Sequence, residues 1–182
     1  MRHLPNIISL IRIALIWPII AGLVRQDYAL TLLLFLAAAV SDGLDGWLAK
    51  RFGWTSRLGK LLDPLADKLL LVALFLVLTW QGRVPRYLCV AAVGRDVMIG
   101  LGAVVYRVGW GPLHGRPLLS SKVNTLMQLL YVLFVVVHTG FGLPPQSVLD
   151  ALAVGALLTV LYSGAAYLRE FTSRALERAA QA

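Results

Sequence analysis

Apolar residues run along this chain in six long blocks, each close to the roughly 20 residues one helix needs to cross a bilayer. The blocks predict helices over about 5–24, 28–49, 61–80, 87–107, 122–142 and 147–168. Two of them break the pattern. The second is apolar only from Tyr28 to Val40, and its later half carries Asp42 and Asp45. The third carries Asp63, Asp67 and Lys68 near its start. Gly53 and the segment Trp54-Thr55-Ser56 mark a turn between them. Asp63-Pro64 allows two starts for the third helix. Asp63 caps it with proline at the first helical position, or the helix begins near Leu58 and Pro64 kinks it. The other connections are short, and Arg169 to Ala182 read as a short polar helix or a frayed tail.

Composition agrees with that pattern. Of 182 residues, 59% are hydrophobic and 14% charged, against about 45–50% and 25% in soluble domains. The expected fold is an all-α integral membrane protein, a bundle of six transmembrane helices forming a single domain over 1–182. No small-residue cleavage site follows the first apolar block, so it reads as a retained helix. The one cysteine, Cys89, rules out a disulfide framework. The net charge of +8 fits cytoplasmic loops and anionic membrane lipids rather than nucleic acid. With both termini on one side, that side collects eleven basic residues, from Arg2 to Arg178, against Arg25, Arg83 and Arg86 on the other. Both termini and the hairpin between the second and third helices therefore face the cytoplasm, and an active-site cavity there opens to it.

The chemistry is concentrated in Asp42 to Asp67. Asp42 and Asp45 are three residues apart, and Asp63 and Asp67 four, so on helices each pair shares a face. Four carboxylates near a membrane need positive charge among them. One or two hard divalent ions, Mg²⁺ or Mn²⁺, suit oxygen donors, and no Cys/His cluster favours zinc. Gly46 and Gly59 let a phosphate-bearing ligand approach the backbone, Ala49 leaves space, and Lys50, Arg51, Arg57 and Lys60 can neutralise phosphates. The set suits a membrane enzyme acting on a metal-bound pyrophosphate.

At this level of detail the stretch resembles the CDP-alcohol phosphatidyltransferase family, whose signature is D-x2-D-G-x2-A-R-x8-G-x3-D-x3-D. It matches at Asp42, Asp45, Gly46, Ala49, Gly59, Asp63 and Asp67. Lys50 stands where the family usually has arginine, which keeps the charge and loses the bidentate fork; Arg51 is the neighbour able to compensate. The resemblance implies transfer of a phosphatidyl group from CDP-diacylglycerol to an alcohol, with release of CMP. It implies two metals held by Asp42, Asp45 and Asp63, with Asp67 completing the second site or acting as the base. A metal-bound carboxylate is a poor base, so Asp67, as the least coordinated, is assigned that role. The donor nucleotide is expected along Gly46, Ala49, Lys50, Arg51 and Gly59, with Asn6 and Ser9 near the cytidine. A homodimer in a bacterial inner membrane is implied as well.

The acceptor depends on other residues. LPNIISLIRIALI and TSRLGKLLDPLADK resemble both the cardiolipin synthase and the phosphatidylglycerolphosphate synthase branches. The latter usually show G-K-x-K-T entering the fifth helix; here the stretch is Ser121-Lys122-Val123-Asn124-Thr125. The second lysine has become Asn124, the direction expected when the acceptor phosphate carries one charge rather than nearly two. That stretch and Gly94-Arg95-Asp96-Val97 resemble CMP-forming cardiolipin synthases of the mitochondrial type, with phosphatidylglycerol as acceptor. The alternative is glycerol 3-phosphate. Arg95, Lys122, Asn124 and, in the first helix, Arg12 are the candidate acceptor-binding residues. A purely structural ion pair is the alternative for Arg95 beside Asp96, but intramembrane charges usually face the interior or a cavity, which favours acceptor binding; His138 reads as structural. A cation transporter would account for the aspartates but not for the glycines, the basic cluster or the spacing. A non-catalytic lipid-binding protein has no need of the full aspartate set.

Overall fold

The computed structural model describes the backbone over 4–52, 59–110 and 118–179, and side chains over 10–41, at Arg51, and over 65–109 and 118–173. Its described residues form six α-helices: α1 (Leu4–Val24), α2 (Tyr28–Phe52), α3 (Gly59–Trp80), α4 (Arg86–Trp110), α5 (Leu119–Phe141) and α6 (Gln146–Ala179). Every predicted block is a helix. Among the described residues, three helices are long and apolar enough to cross a membrane: Arg86–Gly109, Leu119–Phe141 and Gln146–Ser173. Among the described residues, α1 and α2 contribute shorter apolar stretches, Leu10–Val24 and Tyr28–Ser41.

Of the two starts open for α3, the earlier one, near Leu58, is observed, and the end of α6 differs from expectation. Because α3 starts at Gly59, Asp63 and Pro64 lie inside it, and Asp63 does not cap it. Leu61 and Leu62 extend the helical register ahead of the proline. A proline in the second turn forfeits one backbone bond and leaves the rest of the helix intact. At the other end, α6 continues past Arg169 to Ala179 as one helix rather than a separate tail. No glycine or proline interrupts Leu168 to Ala179, so leaving the apolar block does not stop the helix.

The chain divides into two compact units, with the boundary inside α5: Met1–Val84 with Val132–Pro145, and Pro85–Tyr131 with Gln146–Ala182. In the first unit α1 packs on α2 and α3. Leu70, Leu71, Leu74, Phe75 and Leu78 are buried at helical spacing and form the inner stripe of α3. Ile19 and Leu23 are buried apolar side chains of α1, with Arg12 on the same stripe. The Gln81 amide donates to the Leu23 carbonyl at 2.8 Å and ties the ends of α3 and α1 together. Asp27 Oδ1 accepts the Leu30 N–H at 3.0 Å, an N-cap for α2. His138 Nδ1 donates to the Pro144 carbonyl at 2.7 Å, a structural bond at the end of α5.

Gly140 tests the packing of this unit. A Cβ there would meet Tyr28 Cβ at 2.5 Å, an atom fixed to the α2 backbone. Gly140→Ala is expected to cost about 1–3 kcal/mol through overpacking and to lower the thermal midpoint. Gly100→Ala on α4, where a Cβ meets nothing within 4 Å, should hold or raise it.

In the second unit α4 packs on α6. Leu149, Ala153, Ala156, Val160 and Ser163 form the buried stripe of α6, facing a core that includes Leu88, Cys89 and Ala92 of α4. Small residues on such a stripe let helices approach closely, the usual basis of packing where lipid removes the hydrophobic drive between helices. This unit also buries Arg95, Asn124 and Gln128.

Candidate functional site

The backbone of α2 is helical through Asp42, Asp45, Gly46, Ala49 and Lys50, and that of α3 through Gly59, Asp63 and Asp67. The three- and four-residue spacings therefore put each aspartate pair on one helical face. The side chains of Asp42, Asp45, Ala49, Lys50 and Asp63, and of Asn6 and Ser9 on α1, lie outside the described residues, as do the surroundings of Gly46 and Gly59. Arg51 is exposed. Among the described residues no cluster of three or more His, Cys, Asp or Glu is placed to hold a metal, and three of the four signature aspartates lie outside that set.

Asp67 is described, and it has a specific partner. Arg12 Nη1 donates to Asp67 Oδ1 at 2.7 Å, joining α1 to α3 across 55 positions of sequence. The guanidinium is 1% exposed and the carboxylate 41%. The charge of Arg12 is thus committed inside the first unit, and the half-open carboxylate is held at a fixed rotation. An ionised group inside an apolar helix is costly unless paired, and Arg12 is the sole charged residue of Leu4–Val24. That isolation was the available signal that a carboxylate must meet it. Arg12, expected among the acceptor-binding residues, meets Asp67 of the signature.

The second unit gathers a separate polar group. Arg95, 4% exposed in its side chain, pairs through Nη1 with Asp96 Oδ1 at 2.7 Å. Its Nη2 donates to the Ser121 hydroxyl of α5 at 2.8 Å and to the Ser163 hydroxyl of α6. Its guanidinium carbon sits 5.6 Å from the centre of the Tyr167 ring, in cation–π range. Asn124 is fully buried one turn after Ser121, and Thr159 Oγ1 on α6 lies 3.2 Å from its Oδ1. Lys122, between them in sequence, is exposed. Ser121, Ser163, Thr159 and Tyr167 escaped the sequence reading. Hydroxyls in apolar helices commonly bond their own backbone, and nothing local shows that two of these turn to an arginine.

The chain belongs to the CDP-alcohol phosphatidyltransferase family, whose model matches residues 2–163. It is 34% identical to the human cardiolipin synthase (CMP-forming) over 147 residues, 71% of this chain and 48% of that protein. It is 35% identical over 131 residues to the cardiolipin synthase (CMP-forming) of Streptomyces coelicolor, 68% of this chain and 57% of that one. It is 28% identical over 169 residues to the CDP-diacylglycerol–glycerol-3-phosphate 3-phosphatidyltransferase of Aquifex aeolicus, 91% of this chain and 93% of that one. The chain thus spans about half the length of the human relative and most of the Aquifex one.

Proposed function

We propose that the protein transfers the phosphatidyl group of CDP-diacylglycerol to phosphatidylglycerol, forming cardiolipin and releasing CMP. The complete aspartate signature on α2 and α3, with Asp67 held by a buried arginine, carries the transfer reaction, and Asn124 in place of a second lysine favours the lipid acceptor. In the reaction an acceptor hydroxyl oxygen forms a bond to the phosphatidyl phosphorus. The bond from that phosphorus to the CMP oxygen breaks, CMP leaves, and the hydroxyl proton passes to the Asp67 carboxylate. Arg12 fixes the carboxylate's rotation for that transfer.

Four oxygen donors with no thiol or imidazole among them fit hard divalent ions. Asp42, Asp45 and Asp63, with Asp67 completing the second site or serving as base, would hold two ions, Mg²⁺ or Mn²⁺. When bound, these supply positive charge to the pyrophosphate and its leaving group. Gly46, Ala49, Lys50, Arg51 and Gly59 line the donor, with Asn6 and Ser9 toward the cytidine. Arg95, Lys122 and Asn124 serve the acceptor. In this reading all six helices span the membrane as one domain over 1–182, the protein is a homodimer, and both termini and the active-site cavity face the cytoplasm.

The match over nearly all of the Aquifex relative favours a second reading, in which glycerol 3-phosphate is the acceptor. Offering purified protein CDP-diacylglycerol with either acceptor and identifying the lipid product separates the two. Cardiolipin is expected, and preference for glycerol 3-phosphate overturns the acceptor assignment. Chelation with EDTA should abolish CMP release and Mg²⁺ should restore it; activity that survives chelation removes the two-metal model.

A further inference from the structure

A groove of about 650 Å³ lies between the start of α5 and α6, wholly within the second unit, lined by residues that include Leu119, Ser120, Val123, Thr159, Tyr162 and Ala166. Its walls are apolar, and its rim is open: Leu119 is 77%, Val123 53% and Tyr162 72% exposed. Both helices are long and apolar enough to span a bilayer, so that rim faces hydrocarbon when they do. The inner side is different. Thr159 is the lining residue that touches Asn124.

Among the described residues the Asn124 amide is not fully satisfied. The Thr159 hydroxyl has one hydrogen and two acceptors, the Ala156 carbonyl at 2.9 Å and Asn124 Oδ1 at 3.2 Å. If the hydrogen goes to Asn124, the Asn124 nitrogen is unmet. If it goes to Ala156, the amide turns to donate to Thr159 Oγ1 and its oxygen is unmet. Gln128 follows one turn later on the same face of α5, 1% exposed, its amide nitrogen also without a partner among the described residues. Among the described residues the Ser120 hydroxyl and, on α4, Arg95 Nε are buried and unpartnered too. Buried polar atoms are nearly always bonded, and the cost of leaving them unmet grows inside a bilayer. Ser120, which lines the groove, Asn124, which touches the lining Thr159, and Gln128 stand on three adjoining turns of α5, and together they mark a place built for a polar ligand carried on an apolar body.

We propose that this groove seats the acceptor and that the acceptor enters it from the bilayer as a glycerophospholipid. Its chains lie along Val123, Tyr162 and Ala166, and its headgroup hydroxyls meet Thr159, Asn124 and Gln128. A hydroxyl both donates and accepts, so it satisfies the Asn124 amide in either orientation. A second phosphate would be an acceptor only. A soluble acceptor such as glycerol 3-phosphate has no use for an apolar groove open to lipid. The inference rests on the phosphatidyl-transfer reading and extends it to how the acceptor is recognised.

The test uses the purified protein in vesicles containing CDP-diacylglycerol, with CMP release as the signal. Two acceptors are compared: long-chain phosphatidylglycerol in the bilayer, and glycerophosphoglycerol, the same headgroup without chains. Ala166→Trp fills the groove and should raise KM for the long-chain acceptor about tenfold or more, the scale of a lost well-fitted contact. KM for CDP-diacylglycerol and for glycerophosphoglycerol should stay as in the wild type. Asn124→Leu and Gln128→Leu should raise KM for both acceptors about tenfold. Their thermal midpoints should hold or rise, since each removes an unmet amide. Equal effects of Ala166→Trp on the two acceptors overturn the groove, as does no effect on either. A fall in midpoint with acceptor KM unchanged makes the amides structural and overturns their role. Wild-type protein that releases no CMP with either acceptor, or with glycerol 3-phosphate, removes the transferase reading itself. Release with glycerol 3-phosphate alone removes only the lipid acceptor.

Discussion

Asp67→Asn is expected to lower CMP release by about 10²–10⁴-fold, the usual contribution of a positioned general base, with little change in KM for CDP-diacylglycerol. Asparagine keeps the shape and can accept a hydrogen bond from Arg12, but it cannot take the hydroxyl proton. Arg12→Gln should lower kcat by a smaller factor, because it frees the carboxylate's rotation without removing it. The two substitutions together are informative. Residues that act through one another show non-additive losses, so the double variant should be no slower than Asp67→Asn alone. The structure supports that outcome through the 2.7 Å bond and the complete burial of the guanidinium. If Arg12→Gln instead adds its full loss on top of Asp67→Asn and raises acceptor KM, Arg12 touches the acceptor and the positioning role is wrong. Arg12→Lys, which keeps the charge without the fork, should fall between wild type and Arg12→Gln.

The pairing of Arg12 with Asp67 also shows where sequence reasoning stops. Helices announce themselves locally, because twenty apolar residues in a row have few alternatives to a helix in a membrane. α4, α5 and α6 were readable for that reason, and α2, apolar only from Tyr28 to Val40, was read from a shorter run. Their ends were less so. Pro64 resembles a start signal, and only the surrounding register decides that α3 has already begun at Gly59. The aspartate signature was readable because its chemistry depends on fixed short spacings along two adjacent helices. Contacts between distant segments leave no such trace. Arg12 meets Asp67 across 55 residues and Arg95 meets Ser163 across 68. Each side chain alone signals that it needs a partner, and none says which. Asp96 was the exception, being the next residue to Arg95, and there the ion pair that the sequence offered is present.

Arg95 carries the largest expected effect on stability. Its guanidinium serves Asp96, Ser121 and Ser163 at once and packs near Tyr167. Arg95→Leu takes from the Asp96 carboxylate, 13% exposed, the guanidinium that meets it at 2.7 Å. Breaking one side of a buried pair costs about 3–5 kcal/mol, so the variant should unfold at clearly lower temperature and reconstitute poorly. Removing both charges is a different change. Replacing a buried pair with apolar residues of similar volume is often close to neutral, so Arg95→Leu with Asp96→Leu should regain most of the lost stability. That stable double variant separates the two roles of Arg95. If the arginine also binds the anionic acceptor, the variant folds, binds CDP-diacylglycerol normally and shows a KM for phosphatidylglycerol raised by about tenfold or more. If Arg95 only holds α4, α5 and α6 together, stability and acceptor KM return together. The acceptor's phosphate must then be met elsewhere in the second unit, with exposed Lys122 the nearest basic candidate along α5.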